Sequence, residues 1–401
     1  MKVLPENRFI RTAVALAHLS FFIAAAYGAD GGDSVPSADT EVVVDVPARF
    51  IVSPFYVKRT LALPRGFRVS VFAAGLDGPR FMAVGPDGFI YVSSPGGGKV
   101  LVLPDRDRDG VADSVVEFAG GLERPHGLAF AGKDLIVAET GSLVVLRDKD
   151  GDLKADSREV ITKDLPEGGA HWTRTVVIGP DASLYVSAGS SCNVCVERDK
   201  RRAAVMRFPM KGGKGRVFAK GLRNSVGLAF HPLTRELWGV DNGRDLLGDD
   251  IPPEELNKIS EGGDYGWPYC YGEMAPDLDF SPVDSVKRCP GTRPPAVSMQ
   301  AHSAPLGIAF GHGLKFPKNL RESLFVAFHG SWNRSVPTGY KVVAIPFGAD
   351  GNPSGPPVDF VAGWLKDGRY WGRPVHPLAA PDGALYISDD YAGAIYRVYA
   401  R

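Results

Sequence analysis

The chain has 401 residues, with 46 basic and 46 acidic side chains and a formal net charge of zero. That balance supplies no field for nucleic acid or for an anionic membrane surface, and neither partner is expected. The length suits one large β domain or two smaller ones, and 48 glycines and 32 prolines without a collagen-like period, beside many Val, Phe and Tyr, favour an all-β protein rich in turns.

In chain order, Lys2, Arg8 and Arg11 precede an apolar run from about Thr12 to Ala26, and Ala26-Tyr27-Gly28 is a small-x-small cleavage pattern. A signal peptide over 1–28 is expected, which places the protein in the periplasm or outside the cell. A retained anchor is the alternative, although the run falls short of the ~20 apolar residues of a membrane span. Residues 29–60 are expected to be a flexible leader, small and acidic where they begin. Order is expected to set in near the alternating strand Phe67–Phe72.

A repeat then begins. Its unit is a small group, a short β run, a Pro/Asp/Gly turn, a second β run, a polar loop and a third strand. Copies start at Pro79, Pro125, Trp172, Ser225, Pro305 and Arg373, and the turns include Gly85-Pro86-Asp87-Gly88, Gly179-Pro180-Asp181 and Pro381-Asp382-Gly383. Six copies of a four-strand-like unit predict an all-β, six-bladed β-propeller over 61–401. An insertion at about 269–299 accounts for the longer interval between the fourth and fifth copies. After the first two copies come Asp105-Arg-Asp107-Arg-Asp109-Gly110 with Asp113, and Asp148-Lys-Asp150-Gly151-Asp152 with Asp156. Both resemble calcium loops but lack the bidentate Glu at position twelve, so they are either structural metal sites or plain Asp/Gly turns.

Export makes the four cysteines candidates for disulfides. Three pairings exist; nearest neighbours, Cys192–Cys195 and Cys270–Cys289, are the expected ones. The CxxC has no following His, which argues against a c-type haem, and a four-thiolate zinc site is disfavoured by an oxidising compartment.

In a propeller, the loops before the innermost strands open on one face around the central channel. The residues there are Arg80, His126, His171 with Arg174, Arg223 with Asn224, His302 and Arg373. Core packing alone does not produce such a ring of cations and imidazoles. The cations suit a polyanionic ligand, because guanidinium forks pair bidentately with carboxylates. His171, in Gly-Gly-Ala-His-Trp-Thr-Arg, is the candidate general base, a neutral imidazole able to take a hydroxyl proton. The fourth copy adds Asp241-Asn-Gly243-Arg244-Asp245 and the acidic tract Asp249, Asp250, Glu254 and Glu255. Glycine-rich backbone beside carboxylates suits a hard metal ion. In the fifth copy, Arg334 and Lys341 flank the loop that carries Trp332.

The ordered set GLRNSVGLAF, LWGVDNGRD, EELNKI and GGDYGWP resembles the soluble quinoprotein sugar dehydrogenases, particularly their L-sorbosone dehydrogenase-like branch. The likeness runs from about Phe67 to Tyr399. It implies a six-bladed propeller holding pyrroloquinoline quinone (PQQ) beside Ca²⁺. By position it makes His171 the base, and Arg223 and Asn224 contacts of the quinone and its carboxylates. It makes the carbonyls of Gly243 and Arg244 the calcium ligands, although the family's glucose enzymes have proline where Arg244 stands. Arg80, Arg174 and Arg373 would be cations near the cofactor, and either Arg334 or Lys341 would be the fifth-blade cation. In the chemistry so implied, Ca²⁺ polarises the quinone carbonyl, His171 takes the hydroxyl proton, and hydride passes to the quinone. The expected function is oxidation of an aldose or sugar-derived aldehyde, with electrons leaving to an external acceptor, a cytochrome or a quinone. Two alternatives stand beside it: a calcium-dependent propeller lactonase, which needs side-chain carboxylates on the channel axis, and a non-enzymatic extracellular binding propeller.

Overall fold

The computed structural model describes residues 34–401, so the expected signal peptide lies outside the described residues. Six four-stranded antiparallel sheets follow one another as the blades of a propeller. Blade one runs, from the inside outward, Met82–Val84, Ile90–Ser94, Lys99–Leu103 and Val116–Ala119, and blades two and three repeat this order. Blade five is Pro305–Phe310, Ser323–Phe328, Lys341–Pro346 and Val358–Val361.

The turns between the first two strands explain why the repeat is readable. Asp87 accepts hydrogen bonds from Phe89 N–H and Tyr91 Oη–H, tying the turn to the second strand. Asp181 with Tyr185, and Asp382 with Tyr386, make the same tyrosine bond in blades three and six. The glycine before each proline in the first two turns is obligatory. A Cβ at Gly85 would lie 2.5 Å from the Tyr91 ring, and one at Gly179 would meet Tyr185 just as closely.

Blade six closes the ring. Its three C-terminal strands, Pro374–Ala379, Leu385–Asp389 and Ala394–Ala400, take Phe67–Ala74 as their outer strand. The two ends of the propeller are thereby joined by a full ladder of hydrogen bonds, and no blade edge is left open at the seam.

Two expectations about organisation are corrected. Residues 40–60 are not a flexible leader. Thr40–Val43 pairs antiparallel with Thr60–Leu63, and Val42, Val44, Phe50 and Phe55 are buried in the same core cluster as the closing blade. The apolar residues there are enough to anchor a short strap, although the acidic stretch before them masks the pattern. The insertion also lies inside blade four rather than after it. That blade is Ser225–Phe230, Leu237–Asp241, Glu254–Ile259 and then Val297–Met299, with residues 260–296 between its third and outer strands. An outer strand of three residues is too short to show an alternating pattern. The insertion carries the helix Pro282–Arg288 and is closed by the Cys270–Cys289 disulfide; Cys192–Cys195 is the second disulfide, so both expected pairings are present.

At the centre, Phe81, Val226, Leu306 and Val375, at or beside the start of four inner strands, form a buried apolar cluster. Phe81 stacks on His376 at 4.4 Å. This plug leaves the loops before the inner strands as the walls of a site above it. No helix among the described residues is long and apolar enough to cross a membrane.

Candidate active site

The loops of blades three, four and five meet around one cavity of about 120 Å³. His171, Arg223, Asn224, Asn242, Gly243, Asp245, Glu254, His302 and Trp332 line it.

His171 lies in the loop before the inner strand of blade three. Its Nδ1 is 3.0 Å from the carbonyl oxygen of Ser190 and 2.9 Å from Ser190 Oγ, which itself donates to the carbonyl of Cys192. A carbonyl only accepts, so Nδ1 carries the proton and Nε2 is left as the basic nitrogen. Burial, then the positive charge of Arg223, lower the imidazole to about 4 against the opposing bond to Ser190, with smaller contributions from Arg174 and Arg202. It is therefore neutral at pH 7. Gly189 makes room for this arrangement, since a Cβ there would lie 2.6 Å from both His171 Cβ and Asn224 Oδ1.

Arg223 is buried, and four of its five N–H donors are engaged. Nε donates to the carbonyl of Asn193, Nη1 to that of Asn242, and Nη2 to Asn193 Oδ1 and Asp245 Oδ2. One Nη1–H remains for a ligand. The backbone of Arg223 and Asn224 is fixed by Asp241, whose carboxyl accepts both amide protons and the Ser225 hydroxyl. Burial raises that carboxyl to about 6 in spite of these bonds.

Gly243 is bound through its N–H to Glu254 Oε2, and Ala304 N–H reaches Glu254 Oε1. Any side chain at Gly243 would press on Pro252 Cγ at 2.8 Å and on the Pro253 carbonyl at 3.0 Å. Burial pushes Glu254 up to about 8 against the two amide bonds. His302 and Ala304 both sit in the left-handed region, at φ 61 and 53, in the turn that delivers the Ala304 amide. His302 Nε2 lies 2.8 Å from the Gly248 carbonyl.

The other expected site residues are placed elsewhere. The Arg244 side chain turns away from the cavity to a buried pair with Asp277 of the insertion at 2.7 Å. Arg174 is fully buried and holds the carbonyls of His171 and Thr173, so it shapes the His171 loop from behind. Arg334 pairs with Asp250 at 3.0 Å and strings the fifth-blade loop over the acidic tract, while Lys341 pairs with Asp359 on its own blade's outer strand. His126 is buried between Phe81 and Trp172.

Arg80 and Arg373 belong to a second group, with His329 and Asp390. Asp390 meets Arg80 Nη1 at 2.5 Å and His329 Nε2 at 2.9 Å, and Arg373 donates to the carbonyls of His329 and Gly330. Burial works to raise Asp390, but His329, Arg80 and Arg373 outweigh it and hold the carboxyl below its usual range. Burial lowers His329 to about 4.

Sequence reasoning did not single out Asn193, His329 or Asp390, because each acts through a partner dozens of residues away, and it named Asp245 only as part of the polar group after the second strand of blade four. Glu254 stood only as part of an acidic tract. The two Asp-rich loops each bring three carboxylates within 4.8 Å of one another, at half-buried to exposed positions, and bond to their own backbone.

Comparison with known proteins gives a consistent result. The chain is 31% identical over 357 residues to an uncharacterized protein of Borreliella burgdorferi, covering 86% of this chain and 92% of that one. It is 27% identical over 401 residues to a pyrroloquinoline quinone-dependent pyranose dehydrogenase of Coprinopsis cinerea, covering 82% of this chain and 53% of that protein. The chain thus spans about half the length of that dehydrogenase. The solved structure of the Trichoderma reesei Carbohydrate-Active Enzymes Family AA12 protein superposes with a TM-score of 0.75 at 23% identity, covering 85% of this chain and 98% of that one. The TrAA12-like family matches residues 61–401, and the chain belongs to that family.

Proposed function

We propose that the protein is a PQQ-dependent dehydrogenase that oxidises an aldose or a sugar-derived aldehyde and passes the electrons to an external acceptor. The observation that carries this reading is the single cavity in which His171, Arg223, Asn224 and Gly243 come together. Its name-bearing relatives, among them the Coprinopsis cinerea pyranose dehydrogenase, support the class of reaction.

The residues fit the cofactor chemically. PQQ is a planar tricarboxylate. Arg223, although paired with Asp245, keeps one Nη1–H for a carboxylate, and Asn224 lines the cavity beside it. Trp332, on the fifth-blade loop, is the aromatic residue of the lining that could stack on a planar ligand. A hard divalent cation fits an oxygen-rich lining: the carbonyls of Gly243 and Arg244 would hold Ca²⁺, with the Glu254 carboxyl behind the Gly243 amide. When bound, the quinone accepts two electrons and the calcium ion sharpens its electrophilic carbonyl.

The chain supplies orientation and proton handling. His171 Nε2 takes the proton of the substrate hydroxyl, and the Nδ1–H bond to Ser190 keeps the ring aimed while the imidazole becomes charged. Burial, the largest cause, and then the Arg223 charge keep the imidazole neutral and so able to accept that proton. A lactonase reading is less well supported, because the two carboxylates on the cavity are already committed. Asp245 is bound to Arg223 and Asn333, and Glu254 to two backbone amides.

The test is calorimetric titration of PQQ into the purified protein, with Ca²⁺ and then with chelator, followed by sugar-dependent dye reduction. Tight, calcium-dependent binding with sugar-dependent turnover is expected. Absence of PQQ binding in both buffers overturns the proposal.

A further inference from the structure

We propose that the loop closed by the Cys192–Cys195 disulfide is the clamp that sets Arg223 and His171 relative to each other, with Asn193 as its positioning residue. The inference rests on the PQQ-site reading for its functional meaning, and on the geometry of blade three for the clamp itself.

Asn193 spends every side-chain polar atom on two neighbours. Its Oδ1 accepts from Arg223 Nη2 at 2.9 Å and from the Asp245 amide at 2.8 Å, and its Nδ2 donates to the Asp245 carbonyl at 3.1 Å. Its own carbonyl accepts Arg223 Nε at 2.9 Å. One residue thus takes two donors of the guanidinium, on Nε and Nη2, and fixes the backbone of the residue whose carboxylate pairs with it.

The same short segment holds the base. Ser190 bonds His171 Nδ1, donates from its amide to no other loop but to the Arg223 carbonyl at 2.7 Å, and sends its hydroxyl to the carbonyl of Cys192. Glu197, just past the second cysteine, accepts from the amide and hydroxyl of Ser191. Between these anchors residues 193 and 194 have no ladder to lie in, and the disulfide is the covalent element that restricts them. Arg223 and His171 belong to different blades, so strand pairing alone does not fix their separation. The clamp spans that boundary.

Both cysteines are half-buried, within reach of a small reductant. Opening the bond frees Asn193 to leave Arg223, which then has only Asn242 and Asp245 as partners.

The experiment follows Arg223 directly and then the cofactor. In protein labelled with ¹⁵N-arginine, the Nη2–H signal of Arg223, whose acceptor is Asn193 Oδ1 and which is assigned by its loss in Arg223→Lys, is expected to exchange slowly with solvent. In Asn193→Ala and in Cys192→Ala/Cys195→Ala its exchange should quicken by about tenfold or more, with PQQ affinity weakened by about tenfold, the scale of one lost charge-assisted hydrogen bond. Asn193→Asp, which keeps the Oδ1 acceptor but gives up the Nδ2 donor to the Asp245 carbonyl, should restore slow exchange of that proton without restoring the affinity, because its added charge competes with an anionic ligand; a role in folding alone predicts no such rescue of exchange. Unchanged exchange in both the Asn193→Ala and the double-alanine proteins overturns the clamp. If wild-type protein binds no PQQ while the exchange rates behave as stated, the clamp stands and the cofactor reading falls.

Discussion

At the residue scale the site turns on how His171 is held. Its tautomer follows from one carbonyl, that of Ser190, and its neutrality follows from burial among cations. Replacing it with alanine is expected to lower kcat by roughly 10²–10⁴-fold, the usual worth of a general base, while PQQ affinity stays within a few-fold in titration. The pH dependence has a definite sign. A folded value of about 4, below the ordinary 6.5, means that folded protein holds fewer protons than unfolded protein between those two values. This group's contribution to stability is therefore complete above pH 6.5 and is lost as pH falls toward 4, which chemical denaturation across that range will register. Gly189→Ala tests the packing behind the base: the added methyl must displace His171, Asn224 or both. Turnover should fall at least tenfold, as expected for a small misplacement of reacting groups, with little change in melting temperature. His171, Arg223 and Asn224 were legible in the sequence because each stands in the short loop just before a repeated inner strand. Asn193 was not, since nothing local distinguishes an asparagine between two cysteines from any other loop residue.

At the element scale, the site loops are set by aspartates at the ends of second strands. Asp241 stands opposite Ser225 in blade four and takes the amides of Arg223 and Asn224. Asp389 stands opposite Pro374 in blade six and takes the amide of Arg373, along with those of Tyr391 and Ala392. The two blades thus use one device at equivalent positions to aim an arginine. Asp241→Asn turns one acceptor into a donor that faces the Arg223 or Asn224 amide. It should cost about 1–3 kcal/mol of stability, the scale of a buried unsatisfied polar group, measured by urea unfolding, and should weaken PQQ binding as well. Blades one, three and six could be read from sequence because their turns are chemically fixed by Asp–Tyr pairs, and the β runs that recur between them give the other three. The outer strand of blade four could not be found that way, because the disulfide-closed insertion separates Val297–Met299 from the rest of its sheet. The fifth-blade choice between Arg334 and Lys341 was likewise beyond sequence. Both cations are drawn to acids, Asp250 and Asp359, that only the fold brings near them.

At the scale of the whole molecule, the ring has one seam, and the N-terminal segment is built into it. Phe67–Ala74 completes blade six, and the strap ahead of it lays Phe55 against Trp371 and Tyr396, with ring centroids 6.3 and 6.2 Å away. Tyr396 in turn donates its hydroxyl to Asp389, the carboxyl that fixes the Arg373 amide. Burial raises Asp389 to about 7, so its chemistry depends on this shell staying closed. The strap therefore both covers the seam and backs the carboxyl that holds the Arg373 amide, which is why a segment that reads as a leader is packed like core. Phe55→Ala should remove about 3–5 kcal/mol of stability, the range for a buried phenylalanine truncated to alanine, read as a lower urea midpoint. A strap that only covers the surface would lose stability and nothing else. A strap that backs the Arg373 loop would, in addition, quicken hydrogen exchange at the Arg373 amide in protein that is still folded, while the amides of Arg223 and Asn224, two blades away, keep their wild-type rates.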